Sequence, residues 1–334
     1  MGTVFEVGAA LLGACIGSFL NVVIWRLPQE DPAKRSLGGR SHCPHCGAAI
    51  RWYFNVPVLG WLVLRGKSSC CQRPIAWRYP LVELLTAALF FGLAAAAGPG
   101  GLLALEPHGW PADAHAWAVF GVLATFVSLL VALSFIDFDT QLLPDVLTKP
   151  GVGIGLAAGI WPGIAGPITD DASTSLAMRT LLASVLGMAV GGGVTWSIRA
   201  VGSWVFRREA MGFGDVKLMM MIGAFLGWQN ALLTMLLGCM LGAICGGIAV
   251  GFGGSSRIPF GPYLAGGALL ALFFGGAILT FLFTTWPEIQ RSNANAQWLL
   301  AGMGTVSLVL LFVLVRRGRR RERSHDPNNH TREP

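Results

Sequence analysis

The chain has 334 residues, of which 54% are hydrophobic and only 12% are charged, and its formal net charge is +7. Ordinary soluble domains carry about 25% charged residues, so the composition excludes a soluble globular enzyme and indicates a helical membrane protein with several spans. The positive charge does not indicate a nucleic-acid-binding protein, because the basic residues are confined to a few connecting segments, as is typical of membrane topology.

Apolar segments long enough to cross a bilayer as helices recur along the whole chain. The pattern predicts nine spans, at about residues 4–24, 81–97, 117–136, 151–166, 176–205, 216–227, 231–251, 263–285 and 298–315. The sixth of these is short for a complete span, and if it is re-entrant the count falls to eight.

The basic residues predict the orientation of these spans. No Lys or Arg precedes the first span, whereas the segment 26–80 is rich in both, so the positive-inside rule places the N-terminus outside and this segment in the cytoplasm. Segments 98–116 and 167–175 contain acidic residues and no Lys or Arg, and they are predicted to lie outside. Nine spans also place the Arg-rich tail, 316–334, inside, where it would contact anionic lipid.

The predicted cytoplasmic loop holds four of the seven cysteines, Cys43, Cys46, Cys70 and Cys71. A loop with few core-forming side chains needs a further staple, and a cytoplasmic location argues against disulfides. Two cysteine pairs are the usual framework of a tetrahedral zinc site. The second pair is adjacent rather than CxxC, so free thiols remain the alternative, and His42 and His45 are nearby substitutes for the fourth ligand.

Two aspartates, Asp137 and Asp215, lie where membrane proteins rarely place carboxylates. Asp137 ends the apolar run of the third span, and Asp215 follows the turn Gly212-Phe213-Gly214 at the start of the sixth. An ionisable group at membrane depth costs at least about 2.5–3.5 kcal/mol on insertion scales and therefore indicates function. The predicted topology puts both near the cytoplasmic face, where they could share a proton as in an aspartic protease. The alternative is that each flanks or caps a helix.

Several sequence blocks occur in order between residues 13 and 263. They include GSFLNVV at 17–23, CPHC at 43–46, RYPLVE at 78–83, DFDTQLLPD at 137–145, GFGDVK at 212–217 and IPFGPY at 258–263. In this combination the chain resembles the type IV prepilin peptidases, bifunctional leader peptidases and N-methyltransferases of the GxGD aspartic protease class.

The resemblance implies a function for the aspartates and cysteines. Asp137 and Asp215 would be the catalytic pair, and zinc would be bound through four cysteines, although here Ser68 stands at the third ligand position and Cys70 would have to substitute for it. The substrates would be type IV prepilins and type II secretion pseudopilins, cleaved on the C-terminal side of Gly. The new N-terminus would then be methylated with S-adenosylmethionine, in the inner membrane of a bacterium.

No nucleotide-binding motif is visible for the methyl donor. Methylation is therefore expected to involve the cytoplasmic loop, where a cleaved N-terminus would emerge. Arg78 and Tyr79, near Glu83, are candidates for contact with substrate or cofactor, and a role at the start of the second span is the alternative. A peptidase without methylation, or a zinc-stabilised ion- or proton-coupled transporter, remains the alternative function, although no convincing inverted repeat is present.

These inferences predict an all-α polytopic membrane protein with a small zinc-ribbon-like module. Its parts are a first transmembrane helix (1–25), a cytoplasmic cysteine-containing loop domain (26–80), a transmembrane aspartic peptidase core (81–315) and a basic cytoplasmic tail (316–334). The catalytic face is predicted to be cytoplasmic.

Overall fold

The computed structural model describes residues 2–31, 35–39, 41–43, 45–97, 114–160, 172–207, 209, 211–251 and 259–292. Its helices are α1 (Gly2–Arg26), α2 (Leu59–Val63), α3 (Arg78–Ala97), α4 (Ala114–Thr140), α5 (Asp145–Ile160), α6 (Ala172–Phe206), α7 (Phe213–Gly251), α8 (Gly261–Thr280) and α9 (Trp286–Ser292). A 3₁₀ turn precedes α2, and a π-helical segment joins α8 to α9. In these residues the only β-structure is two isolated bridges, so the prediction of an all-α protein is confirmed.

Six helical segments in the described residues are long and apolar enough to cross a membrane. They correspond to α1, α3, α4, α6, α7 and α8 with its continuation, which confirms a polytopic membrane protein. Helix α5 covers part of the predicted fourth span but has only 16 residues. The predicted ninth span, 298–315, the tail 316–334 and most of the predicted outer segments lie outside the described residues.

The predicted sixth and seventh spans form one helix, α7, with a break inside it. Gly227 has φ 77° and ψ 172° there, in a region of backbone space that is almost restricted to glycine. The break coincides with the end of the predicted sixth span. A glycine at the junction of two apolar runs therefore explains both why the pattern divides them and how the backbone turns between them.

Contacts divide the chain into two compact units. The first consists of Met1–Cys239 with Pro259–Phe273, and the second contains the described parts of Met240–Ile258 and Phe274–Pro334. All the sites discussed below lie in the first unit.

Helix α1 crosses α3 at very short range because two glycines face the crossing. A Cβ atom on Gly13 would lie 2.7 Å from the carbonyl oxygen of Thr86, and one on Gly17 would lie 2.7 Å from the Cα of Glu83. Small residues four apart are the usual means by which membrane helices approach closely. The crossing brings Asn21 of α1 to the start of α3, where its side-chain amide donates a hydrogen bond to the Tyr79 carbonyl at 3.0 Å.

The core of the first unit is built around α4 and the first part of α7. Phe126, Leu130 and Leu133 of α4 are completely buried, and Phe126 stacks on Phe225 of α7 at 4.6 Å. Glycines bring the neighbouring helices close to α7: a Cβ atom on Gly187 of α6 would lie 2.0 Å from the Gly223 carbonyl oxygen. This packing holds the end of α4 and the start of α7 in a defined position.

Candidate active site and cysteine cluster

The structure brings Asp137 and Asp215 together. Asp137 lies in the last turns of α4 and Asp215 in the first turn of α7, and both are buried, with 5% and 7% of their surface exposed. They are close enough for their charges to interact directly. Two neighbouring buried carboxylates do not both ionise readily, so such a pair holds one proton between them. One acid and one base are thereby available at the same place.

Asp137 is oriented by a backbone group from a distant part of the chain. The N–H of Gly261, the first residue of α8, donates a hydrogen bond to Asp137 Oδ2 at 2.9 Å. A Cβ atom at position 261 would lie only 2.6 Å from that same oxygen. Gly261 is a positioning residue that the sequence analysis missed. The available signal was a glycine placed between Pro259 and Pro262 at the beginning of an apolar helix.

Asp215 is held by the turn that precedes α7. Its carboxylate accepts a hydrogen bond from the backbone of Gly212, the residue before the helix begins. This contact resembles the back-bond of a capping box, so Asp215 does have the helix-capping role that was the alternative to a carboxylate pair. The same carboxylate nevertheless interacts electrostatically with Asp137. Gly214 lets the first turn of α7 lie against Leu143, since a Cβ atom there would lie 2.8 Å from Leu143 Cβ.

The other carboxylates near the pair are neutralised by cations. Asp139 forms an ion pair with Arg78 at 2.6 Å, and Arg78 also donates to the Phe135 carbonyl at 3.4 Å. Asp145 is paired with Lys149 at 2.8 Å and with Lys217. The two lysines hold the pKa of the exposed Asp145 carboxyl below its usual range. Asp139 and Asp145 are therefore engaged elsewhere.

The four predicted cysteines also meet. The sulfur atoms of Cys43, Cys46, Cys70 and Cys71 all lie within 4.8 Å of one another. Cys43 and Cys71 are 3.7 Å apart, and Cys46 and Cys70 are 3.1 Å apart. Four thiolates around zinc at about 2.3 Å would be separated by about 3.8 Å, so the donor set fits a tetrahedral metal site. The adjacent cysteines therefore both reach the cluster.

The two halves of the cluster are built on the same turn, repeated 25 residues later. In the first turn the N–H of Cys43 bonds to the Ala48 carbonyl, and in the second the N–H of Ser68 bonds to the Arg73 carbonyl. Gly47 and Gln72, at equivalent positions, both have positive φ angles. The β-bridges that close the turns are His42–Ala49 and Lys67–Pro74.

In this repeat Ser68 occupies the position of Cys43, and Cys71 occupies that of Cys46. Cys70 has no cysteine counterpart in the first turn. Its sulfur takes the place in the cluster that the first cysteine of a CxxC turn would fill. The Ser68 hydroxyl is 2.9 Å from Cys70 Sγ and 3.5 Å from Cys43 Sγ. The Ser68 hydroxyl therefore forms hydrogen bonds within the cluster, and Cys70 supplies the fourth sulfur atom.

Charge in the cluster is uneven. The Ser68 hydroxyl lowers the pKa of the Cys43 thiol to about 5 despite its burial. The pKa of the Cys46 thiol is about 12, because contacts with the other thiols and desolvation outweigh the backbone N–H of Ala48. If all four groups bind as thiolates, a cation is needed to compensate their charge, and a bound metal ion would itself favour deprotonation of Cys46. Neither histidine takes part: His42 and His45 are exposed, and the His45 ring is 3.4 Å from Arg73.

Comparison with protein families gives two successive matches along the chain. Residues 11–97 match the Bacterial Peptidase A24 N-terminal domain, and residues 124–247 match the Type IV leader peptidase family. The first match covers the cysteine cluster, and the second covers both aspartates.

Relatives named "Prepilin leader peptidase/N-methyltransferase" are similar to most of the chain. The protein of Myxococcus xanthus is 40% identical over 245 residues, which is 73% of this chain but just under two thirds (63%) of that protein. The protein of Burkholderia pseudomallei is 36% identical over 80% of this chain and 84% of its own length. The protein of Aeromonas hydrophila is 37% identical over 83% and 93%, respectively. No solved structure matches the chain significantly.

Proposed function

The chain belongs to the type IV leader peptidase family, and from this membership we propose that it removes the leader from type IV prepilins and type II secretion pseudopilins. Cleavage would occur on the C-terminal side of Gly, and the new N-terminus would then be methylated. The family match decides against the ion-coupled transporter that the sequence left open.

The observation that supports the proposed chemistry best is the meeting of Asp137 and Asp215. Both are buried, they interact electrostatically, and each also accepts a backbone hydrogen bond. In the proposed reaction the ionised aspartate takes a proton from a water molecule as that water attacks the scissile carbonyl carbon. The protonated aspartate donates its proton to the carbonyl oxygen. The aspartate that took the water proton then donates it to the leaving amine as the carbon–nitrogen bond breaks, and the first aspartate regains a proton from a hydroxyl of the intermediate. Because the pair shares its proton, the two roles belong to the pair rather than to either residue alone.

The position of the pair suits a substrate of this type. Asp137 is near the end of one membrane-length helix and Asp215 near the beginning of another, so the reaction would occur close to a membrane surface. A short basic leader would remain in the cytoplasm, while the hydrophobic helix that follows it stays in the bilayer. We accordingly place the N-terminus outside, the catalytic face in the cytoplasm, and the protein in the bacterial inner membrane.

The cysteine cluster is proposed to hold zinc through Cys43, Cys46, Cys70 and Cys71. The metal would have a structural role, because four thiolates leave no open coordination position and a small loop with few apolar side chains needs such support. This assignment treats 26–80 as a cytoplasmic domain beside the first helix (1–25) and the peptidase core (81–315), with the tail 316–334 at the lipid surface.

S-adenosylmethionine is the methyl donor proposed for the second activity. The names of the relatives include N-methyltransferase activity. This cofactor supplies an electrophilic methyl group on a sulfonium. The amine that becomes free when the leader is removed would be the acceptor.

The peptidase proposal can be tested with purified protein and a synthetic prepilin. Asp137→Asn and Asp215→Asn, made singly, are each expected to lower cleavage by several orders of magnitude, since either change removes the shared proton system. Asp145→Asn is the matched control: it makes the same chemical change at an exposed carboxylate outside the pair, and its activity should stay within about twofold. Full activity in either catalytic variant would refute the aspartic mechanism.

A further inference from the structure

A cavity of about 930 Å³ lies between the end of α1, the start of α3 and the cysteine-containing loop. Small-molecule sites usually have volumes of about 300–1,000 Å³, so the cavity is large enough for a nucleoside-sized ligand. Neither Asp137 nor Asp215 lines it. The cavity is therefore distinct from the proteolytic pair, and the proposed peptidase chemistry leaves it without a use.

Glu83 is the unusual residue in the wall of this cavity. Its carboxylate is almost fully buried, with 8% of the residue exposed, and it accepts a hydrogen bond from the N–H of Val58 at 2.7 Å. The Ser18 hydroxyl provides a second hydrogen bond. Among the described residues no Lys or Arg pairs with it. A buried carboxylate without a cationic partner is costly, and a cationic ligand would compensate that cost.

The backbone around Glu83 is strained in order to hold it. Val58 has φ 60° and ψ −50°, a conformation that β-branched residues rarely adopt. Through that conformation its N–H reaches the Glu83 carboxylate. Gly17 allows α1 to lie against the Glu83 backbone on the other side, as described above. Local strain of this kind is retained mainly at functional sites, where the surrounding structure enforces it.

The rest of the lining complements a ligand with an aromatic ring and charges of both signs. Trp61, Phe54 and Tyr79 offer aromatic surfaces. Arg26 lines the cavity from the end of α1, where it also anchors the loop through the carbonyls of Ser36 at 2.6 Å and Gly38 at 2.9 Å.

S-adenosylmethionine has these same features: an adenine ring, a sulfonium, an ammonium and a carboxylate. We propose that this cavity is the methyl-donor site and that Glu83 is the carboxylate that attracts its cationic end and accepts the proton released during methylation. This inference rests on the N-methylation proposed above.

The position of Glu83 suits transfer from one site to the other. At the start of α3, Arg78 reaches the end of α4 through Asp139 and the Phe135 carbonyl. Glu83 lies five residues further along the same helix, which is about 7.5 Å along its axis. The start of α3 thus contacts the end of α4, which carries Asp137, and also lines the cavity through Tyr79 and Glu83.

The chemical step is a simple displacement. The lone pair of the new N-terminal amine attacks the methyl carbon, the nitrogen–carbon bond forms as the carbon–sulfur bond breaks, and sulfur retains that electron pair. The nitrogen then loses a proton to the Glu83 carboxylate, which passes it to water. No other reactant is needed.

The test measures donor binding and the two reactions separately in the full-length protein. Glu83→Gln keeps the shape and the oxygen that can accept the Val58 hydrogen bond, but it removes the charge. S-adenosylmethionine binding, measured by calorimetry, is expected to weaken by about tenfold or more. Mass spectrometry of the mature pilin should show an unmethylated N-terminus, while the leader is still removed. The matched control is Glu30→Gln, since Glu30 is exposed, lies four residues after the end of α1 and is absent from the cavity lining.

A second variant guards against a folding defect in Glu83→Gln. Ser41→Trp fills the cavity from the loop side and should likewise abolish donor binding. Unchanged donor affinity in either well-folded variant would overturn the location of the site. If the unsubstituted protein cleaves prepilin but does not bind S-adenosylmethionine, both the proposed methylation and the proposed donor site are refuted. If the unsubstituted protein does not cleave prepilin, the peptidase proposal is refuted.

Discussion

Replacing Gly261 by alanine should disable the catalytic pair while leaving both aspartates in the chain. The added Cβ atom would lie 2.6 Å from Asp137 Oδ2 and 3.0 Å from its Cγ, whereas ordinary van der Waals contact begins at 3.4 Å. The carboxylate would therefore have to move by about 0.8 Å, and the 2.9 Å hydrogen bond from the Gly261 N–H would be lost or distorted. A backbone shift of α8 would have the same consequence for the hydrogen bond.

Misplacement of a catalytic group by about 1 Å can cost about 100-fold in rate, equivalent to about 2.7 kcal/mol of transition-state stabilisation. We expect kcat for prepilin cleavage by Gly261→Ala to fall by about that factor, with a smaller change in KM, because the substitution displaces a catalytic group. The assay is cleavage of a synthetic prepilin in nanodiscs, followed by gel or mass spectrometry.

The matched control is Gly121→Ala, which makes the same substitution in α4, the helix that carries Asp137. No atom outside its own helix lies within 4 Å of a Cβ atom at that position, so activity should be unchanged. A Gly261→Ala protein with nearly normal kcat would refute the conclusion that this glycine sets the position of Asp137.

Three further predictions concern the parts of the molecule that support the two sites. Arg78→Lys should lower kcat by about tenfold, because the guanidinium also binds the Phe135 carbonyl near the end of α4. Little stability should be lost, since the ion pair with Asp139 is partly exposed. A variant with the same kcat as the unsubstituted protein would contradict this role. Cys70→Ser should reduce the zinc content measured by plasma mass spectrometry. Adding Ser68→Cys to that variant should restore the zinc content, since position 68 has the backbone geometry of the first ligand in a CxxC turn. Full zinc content in Cys70→Ser alone would exclude Cys70 as a ligand. Gly17→Leu should lower the thermal midpoint by several degrees in detergent, because even a Cβ atom at position 17 would lie 2.7 Å from the α3 backbone; an unchanged midpoint would show that the α1–α3 crossing is not tight in solution.

Much of the architecture could be predicted because the relevant signals are local. Apolar runs of membrane length indicate helices wherever they occur, and the first, second, third and fifth predicted spans coincide with α1, α3, α4 and α6. Distances between spans are harder to predict from sequence. The pair Asp137 and Asp215 was nevertheless predicted, because the predicted topology places the end of the third span and the start of the sixth at the same membrane face. Their meeting needed only that α4 and the start of α7 be neighbours.

The cysteine cluster was predicted less completely. By spacing alone, the adjacent Cys70 and Cys71 do not match the second CxxC pair of a zinc site. The spacing also leaves open whether Cys70 can reach the other three sulfur atoms. In the structure the second turn repeats the backbone of the first, and Ser68 takes the place of a cysteine. The resulting gap is filled by Cys70 from within the turn. This outcome depends on backbone hydrogen bonds that no spacing rule contains.

The sequence by itself determined that this is a multi-pass membrane protein of the type IV leader peptidase family, with two aspartates and four cysteines available for chemistry. Hydropathy and ordered motifs are properties of short segments, so they can be recognised without knowledge of the fold. Only the tertiary structure decided that the Gly261 N–H orients Asp137 across 124 residues, and that Glu83 is buried beside a strained Val58 in a large cavity. These features arise where helices and loops that are distant in sequence pack closely together. Such packing cannot be predicted from any single segment.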